Sequence, residues 1–158
     1  MHIRHLQPED YYRIISVVND WWGGRSMSGM LPKLFFVHFR DTSFIAEVDG
    51  EIIGFLVGFL SQTYPDEAYV HFLGVHPKFR KQGVALTLYE HFFDAVQRRG
   101  RRIVRLITAT VNKESIAFHV HIGFEIEPQE TRTDGIPFYP NYDGLGGDRV
   151  LFVKRLSG

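Results

Sequence analysis

The segment Val75-His76-Pro77-Lys78-Phe79-Arg80-Lys81-Gln82-Gly83-Val84-Ala85 constrains this chain more than any other. Before it, Glu67 to Val75 reads as a strand, with Glu67, Tyr69, His71, Leu73 and Val75 expected on one face. After it, Val84, Leu88, Phe92 and Val96 form a helical stripe flanked by Ala85 and Tyr89. A strand therefore passes through a short basic loop into a helix that begins at a glycine. The first N–H groups of such a helix have no partner within it and point outward. An anion seated there gains roughly 0.3–1 kcal/mol from the helix end. Gly83 lacks a Cβ and lets an anion approach the backbone, and Ala85 is nearly as small. Lys78, Arg80 and Lys81 add positive charge. The same pattern also describes an ordinary strand-to-helix loop with a solvated basic rim.

The rest of the chain supplies the surrounding elements. His2 to Leu6 reads as a strand. Pro8 suits a first helical turn, and Tyr11, Ile14, Ile15, Val18, Trp21 and Trp22 recur at helical spacing up to Gly23-Gly24. A short helix is expected over Lys33 to Phe39. Strands follow at Ser43 to Val48 and Glu51 to Ser61, joined by the hairpin signal Asp49-Gly50. Gly100 ends the helix that starts at Val84. Ile103 to Thr110 reads as a strand, and Asn112 caps a helix through Ile122 that Gly123 stops. Phe124 to Glu127 and Val150 to Leu156 read as closing strands around a loop-rich stretch, Pro128 to Asp148. The order β-α-α-β-β-β-α-β-α-β-β implies an α+β or mixed α/β fold, with six to seven strands and about four helices. It lacks the long alternation of a dinucleotide-binding fold.

Composition narrows the function classes. The chain has 158 residues, a length that suits one domain over 1–158. Eighteen basic residues balance eighteen acidic ones. That sum disfavours a protein whose main work is coating nucleic acid or an anionic membrane. Cysteine is absent, which removes disulfide scaffolds, cysteine-ligated zinc and thiol nucleophiles. The longest strongly apolar stretch, Ile52 to Leu60, is shorter than the about 20 residues a membrane helix needs. The N-terminal residues carry no apolar signal-peptide core. The expectation is a cytoplasmic protein without a membrane or nucleic-acid partner.

Arg80-x-x-Gly83-x-Ala85 resembles the R/Q-x-x-G-x-G/A pattern of the GNAT superfamily of acyl-CoA-dependent N-acetyltransferases, and Leu73-Gly74-Val75-His76-Pro77 resembles its strand-to-loop segment. Downstream, Asn112-x-x-Ser115-x-Ala117-Phe118-His119-x-x-x-Gly123-Phe124 resembles its second signature. Order and spacing agree across Ser43 to Phe124. The resemblance implies a GNAT-like fold, an acyltransferase activity and acetyl-CoA as donor. It implies that the fourth and fifth strands splay apart, with pantetheine pairing to backbone near Leu73, Gly74 and Val75. The pyrophosphate would sit on N–H groups of Lys81, Gln82, Gly83, Val84 and Ala85 beside Arg80, and Asn112 would bond the pantetheine arm. Asn112 as a plain helix cap fits the sequence equally.

The resemblance also implies roles at the reacting centre. An alkyl ammonium with a pKa near 10.4 must lose a proton before it attacks, at roughly 4–5 kcal/mol at pH 7. General acid–base help is worth about 10²–10⁴-fold. His71, on the strand before the cradle, aligns with a histidine of the arylalkylamine acetyltransferases and is the leading base. The alternative is a histidine satisfied within the sheet. Glu67 is the fallback. His119 stands where many members carry a tyrosine that protonates the departing thiolate, and it is also counted with the donor's binding residues. As an imidazole it must be charged to do so. The N–H of Val75 is expected to stabilise the carbonyl oxygen. His119 and His121 lie on different faces of their helix, so no metal site is expected there.

The acceptor would enter opposite the donor. The candidate walls are Trp21, Trp22 and Arg25 on one side and Tyr139 and Tyr142 on the other, with Tyr69 between. Aromatic walls suit an apolar or cationic amine. The tryptophans can equally be core or dimer contacts, which leaves a homodimer open. Arg98, Arg99, Arg101, Arg102 and Arg105 cluster around a helix end, where such runs are usually solvated. The reading that follows is direct acetyl transfer from acetyl-CoA to a primary amine, of a small molecule more than of a protein. A protein N-acetyltransferase and a non-catalytic CoA-binding sensor or scaffold are the rivals.

Overall fold

The computed structural model describes residues 1–157. Seven strands form one sheet in the order β1-β2-β3-β4-β5-β9-β6. They are β1 (His2–His5), β2 (Phe44–Val48), β3 (Glu51–Leu60), β4 (Glu67–Val75), β5 (Ile103–Ala109), β6 (Glu125–Ile126) and β9 (Arg149–Arg155). A separate hairpin, β7 (Arg132–Thr133) and β8 (Ile136–Pro137), lies inside the stretch read as loop. Every neighbouring pair is antiparallel except β4 and β5, which run parallel. The helices are α1 (Asp10–Ile15), α2 (Val18–Trp21), α3 (Leu34–His38), α4 (Val84–Gln97) and α5 (Lys113–His121).

The expected first helix is two. Ser16 turns its hydroxyl back to the Arg13 carbonyl at 2.8 Å, and Val17 N–H reaches only to Ile14, at 3.0 Å. A serine that competes for helical carbonyls and a residue at φ −120° break the run between α1 and α2. The periodicity of apolar residues survives because both pieces pack on the same core.

Two cores sit on opposite faces of the sheet. On one, Val84, Leu88, Phe92 and Val96 of α4 and Ile116 of α5 bury against Leu56, Val70, Val104 and Phe152. On the other, Ile14, Val18, Trp21, Leu31 and Phe36 cover Ile45, Phe55, Val57 and Phe72. Side chains on β4 alternate between the two, and the strand carries a bulge. Its register with β3 steps from Val57↔Phe72 to Gly58↔Val70, leaving His71 as the extra residue. The bulge reverses the alternation along β4. Ala68 and Val70 face α4, and so do Leu73 and Val75, whereas Phe72 joins the other core. The single face expected for Glu67, Tyr69, His71, Leu73 and Val75 is therefore split at His71. Tyr69 stacks on Phe59 at 5.4 Å and His71 on Phe35 at 4.3 Å, both on the side of α1–α3.

Candidate active site

β4 and β5 pair only at Glu67↔Ile103, Ala68↔Val104 and Tyr69↔Arg105. Beyond Tyr69 they diverge, and the remaining length of each faces an open slot. His76 N–H donates to the Ile53 carbonyl at 2.8 Å, which fixes the hydrogen-bonding phase of this antiparallel pair. By that phase Gly74 and Phe72 bond to β3, while the backbone groups of Leu73 and Val75 point into the slot. The Val75 carbonyl accepts from Arg80 Nε at 3.3 Å, so its N–H is the group left for the slot. Gly74 is needed for packing: a Cβ there would stand 2.6 Å from the Phe55 ring and 3.0 Å from Trp22.

The slot leads to the start of α4. Gly83 has φ +84° and Lys81 φ +61°, two left-handed residues that curl the chain into a concave turn. No backbone N–H from Lys81 to Leu86 donates a hydrogen bond to another of the described residues. Nothing lies within 4 Å of where a Gly83 Cβ would be. The result is an anion cradle of free N–H groups at a helix start, with Lys78 and Lys81 exposed on its rim. Arg80 is placed differently from expectation. Its guanidinium donates to the carbonyls of Val75 and Trp21, so it clamps the end of α2 to the end of β4 instead of standing on the rim. Asn112 offers only its carbonyl to α5, accepting from Ile116 N–H at 3.1 Å. Its side chain makes no capping bond, which removes the plain-cap reading and leaves the amide free.

His71 lies two residues past the last β4–β5 pair, where the slot begins. Its Nε2–H donates to the Met30 carbonyl at 2.5 Å, leaving Nδ1 as a lone-pair acceptor. The partner is a loop carbonyl, not a group of the sheet. Asn19 holds that loop, its Oδ1 accepting from the N–H groups of Met27 (2.7 Å) and Ser28 (2.9 Å). Nothing in residue spacing links Asn19 or Met30 to His71; the contact spans 41 positions of chain.

His119 departs from its expected role. It is 3% exposed, and burial lowers its pKa to about 4, against the opposing effect of the Ser115 carbonyl. The imidazole is neutral at pH 7. Nδ1–H donates to that carbonyl at 2.7 Å, and Nε2 accepts from the Tyr89 hydroxyl at 2.6 Å. Burial also pushes the Tyr89 phenol up. The pair is satisfied and sealed by Phe118, Phe124 and Phe152. An imidazolium able to protonate a thiolate is absent at neutral pH.

On the face opposite α4, a cleft of about 350 Å³ is lined by Tyr64, Glu67, Tyr69, Arg105, Glu127 and Tyr142, with Ile107 and Leu151 among its apolar walls. Tyr69 and Tyr142 both line it. Burial, then Tyr142 and Asp143, raise the Tyr69 phenol, with Arg149 opposing, so the ring carries a neutral hydroxyl. Glu67 is held by Arg105 at 2.9 Å, which removes it as a free base. Trp21 is 5% exposed against Phe55 and His76, and Trp22 packs on Phe72: both are core, not cleft wall. Arg25 is exposed and outside the cleft. Tyr139 sits beside Tyr142, ring to ring at 5.3 Å, and pairs its backbone with Arg149. Sequence spacing does not mark Tyr64, in the β3–β4 turn, or Glu127, which pairs with β9, as neighbours of Tyr69. The arginine cluster is dispersed: Arg98 pairs with Asp94, Arg101 binds three carbonyls, and Arg105 lies in the cleft.

The model of the acetyltransferase (GNAT) family matches residues 5–124. The chain belongs to that family. This GNAT chain is 29% identical over 118 residues to the [ribosomal protein bS18]-alanine N-acetyltransferase of Escherichia coli strain K12, covering 75% of the chain and 74% of the relative. It is 33% identical over 85 residues to the L-2,4-diaminobutyric acid acetyltransferase of Nocardia farcinica, covering 54% of the chain. The chain spans only 40–44% of the length of that relative and of an N-acetyltransferase from Methanocaldococcus jannaschii. Among solved structures, Ard1 from Thermoplasma volcanium superposes with a TM-score of 0.79 at 22% identity, covering 99% of this chain and 98% of that one. This likeness establishes the fold. No helix among the described residues is long and apolar enough to cross a membrane.

Proposed function

We propose that this chain is an N-acetyltransferase that moves an acetyl group from acetyl-CoA to a primary amine of a small molecule. The observation that carries the reading is a junction. The slot opens along β4 from His71 onward, and the cleft on the opposite face reaches the same strand at Tyr69, two residues away. Two reactants bound from opposite sides would meet there, which favours direct attack in a ternary complex. The cleft volume lies in the range of small-molecule sites, roughly 300–1,000 Å³. Family membership and the two named relatives, one acting on an amino acid and one on a protein, support amine acetylation.

The residues present fit the donor. The free N–H groups from Lys81 to Leu86, with Lys78 and Lys81, would hold its pyrophosphate. Leu73 and Val75 would pair with the pantetheine, and the Asn112 amide would bond the same arm. Bound acetyl-CoA supplies a thioester, an acyl group activated for attack. His71 takes the amine's proton on Nδ1 while Met30 fixes its tautomer. The Val75 N–H holds the carbonyl oxygen as it gains charge. The proton that His71 takes up equals the one the departing thiolate needs, so the chemistry balances without His119.

Thiol release from acetyl-CoA, measured across small amines and peptides, tests the reading. Turnover on small amines is expected, and His71→Ala is expected to lower it about 10²-fold or more with little change in CoA affinity. Turnover on peptides alone would establish a protein acetyltransferase instead. CoA binding without turnover on any acceptor would establish a sensor.

A further inference from the structure

The cleft wall is unusual in its charge. Arg105 donates to Glu67 Oε1 at 2.9 Å and also to Glu127 Oε1. One guanidinium serves two carboxylates, so this cluster keeps one negative charge. Asp143 and Arg149, which act on the Tyr69 hydroxyl, pair with each other at 3.0 Å and cancel. The carboxylates are within reach of the cleft: the Glu67 and Glu127 side chains keep 17% and 27% of their exposure. Around them stand Tyr64, Tyr69 and Tyr142, whose ring faces attract cations. None of their hydroxyls is bonded to another side chain or backbone group among the described residues. A carboxylate entering here would meet two carboxylates and a cation already engaged. An ammonium would meet a surplus negative charge and aromatic faces.

The charge also has a definite position. Glu67 is four residues before His71 on β4, about 13 Å along a strand. The acidic end and the reacting end of the site are therefore separated by the length of a small chain molecule. We infer that the acceptor carries a second ammonium, held by Glu67 and Glu127, several bonds from the amine that is acetylated. The substrate class is a linear aliphatic di- or polyamine. This deepens the proposed acetyl transfer and rests on it.

The test compares 1,8-diaminooctane, octylamine and 8-aminooctanoate, which share an eight-carbon chain of about the required reach but end in a cation, a methyl group and an anion. Spermidine has a similar reach with a cation at each end. The expected kcat/KM for diaminooctane or spermidine exceeds that of octylamine by about tenfold or more, with 8-aminooctanoate poorest. Glu127→Gln and Glu67→Gln should each bring the diamine-to-monoamine ratio towards one, mainly through KM. Octylamine turned over as well as diaminooctane and spermidine by the unaltered protein would overturn the inference while leaving acetyl transfer standing. Calorimetric titration of the same amines in the presence of CoA reads the preference without turnover. Tighter diamine binding there without thiol release would support the cleft assignment and sink the acetyltransferase reading instead.

Discussion

His119 shows how a residue at a motif position can have its chemistry altered by its surroundings. Its imidazole is neutral because burial penalises the charged form, and its two nitrogens are committed to Ser115 and Tyr89. This has a consequence for stability. Above pH 6.5 both folded and unfolded chains leave this site neutral. Between pH 6.5 and about 4 the unfolded chain binds a proton there and the folded chain does not. Stability is therefore fully present above that window and falls as the pH is lowered through it, by about 3 kcal/mol in all. Urea unfolding at stepped pH values should show this slope, and His119→Gln should flatten it. Equal slopes in both proteins would mean that the imidazole is protonated in the fold. Tyr89→Phe at pH 7 should cost about 1–3 kcal/mol, the penalty of leaving a buried nitrogen without its donor.

At the scale of elements, the cradle depends on a backbone shape that only some residues tolerate. Gly83 at φ +84° is open to solvent on its Cβ side, so a side chain there would be strained but not crowded. Gly83→Val should lower stability by roughly 1–2 kcal/mol and weaken CoA binding tenfold or more, read by calorimetry. Gly50→Val, at φ +77° in the β2–β3 turn, should lower stability similarly and leave CoA affinity alone. Equal CoA affinity in all three proteins would show that the cradle does not hold the pyrophosphate. Much of this element was legible in advance, because a glycine between a period-two and a period-3.6 pattern has few uses. The strands, α4 and α5 were legible for the same reason: their patterns are local. The bulge at His71 was not, since a bulge is a mismatch between two strands and β4 read alone alternates cleanly. Nor was the break at Ser16, where a hydroxyl competes with the helix without disturbing its apolar stripe. The pairing of Glu127 with Arg105 needed the register of β6 on β9. The hairpin β7–β8 is two residues per strand, too short for periodicity to mark.

For the whole molecule, the sheet is a partition. The cradle belongs to the α4 face, with Lys78 and Lys81 exposed on its rim. The acidic cleft belongs to the other face, and a balanced sum of charge conceals this opposition. The two half-sites lie on either side of the point where β4 and β5 part after Tyr69. A chain so arranged has no need to store the acyl group on itself, and it has no cysteine on which to store it. On the proposed function, both reactants are then bound together. Initial velocities with acetyl-CoA and amine varied in turn should give intersecting double-reciprocal lines, and desulfo-CoA, which can occupy the slot without reacting, should compete with acetyl-CoA alone. Parallel lines would require a covalent acyl-enzyme on another nucleophile. They would also remove the main reason for a gap that opens to both faces.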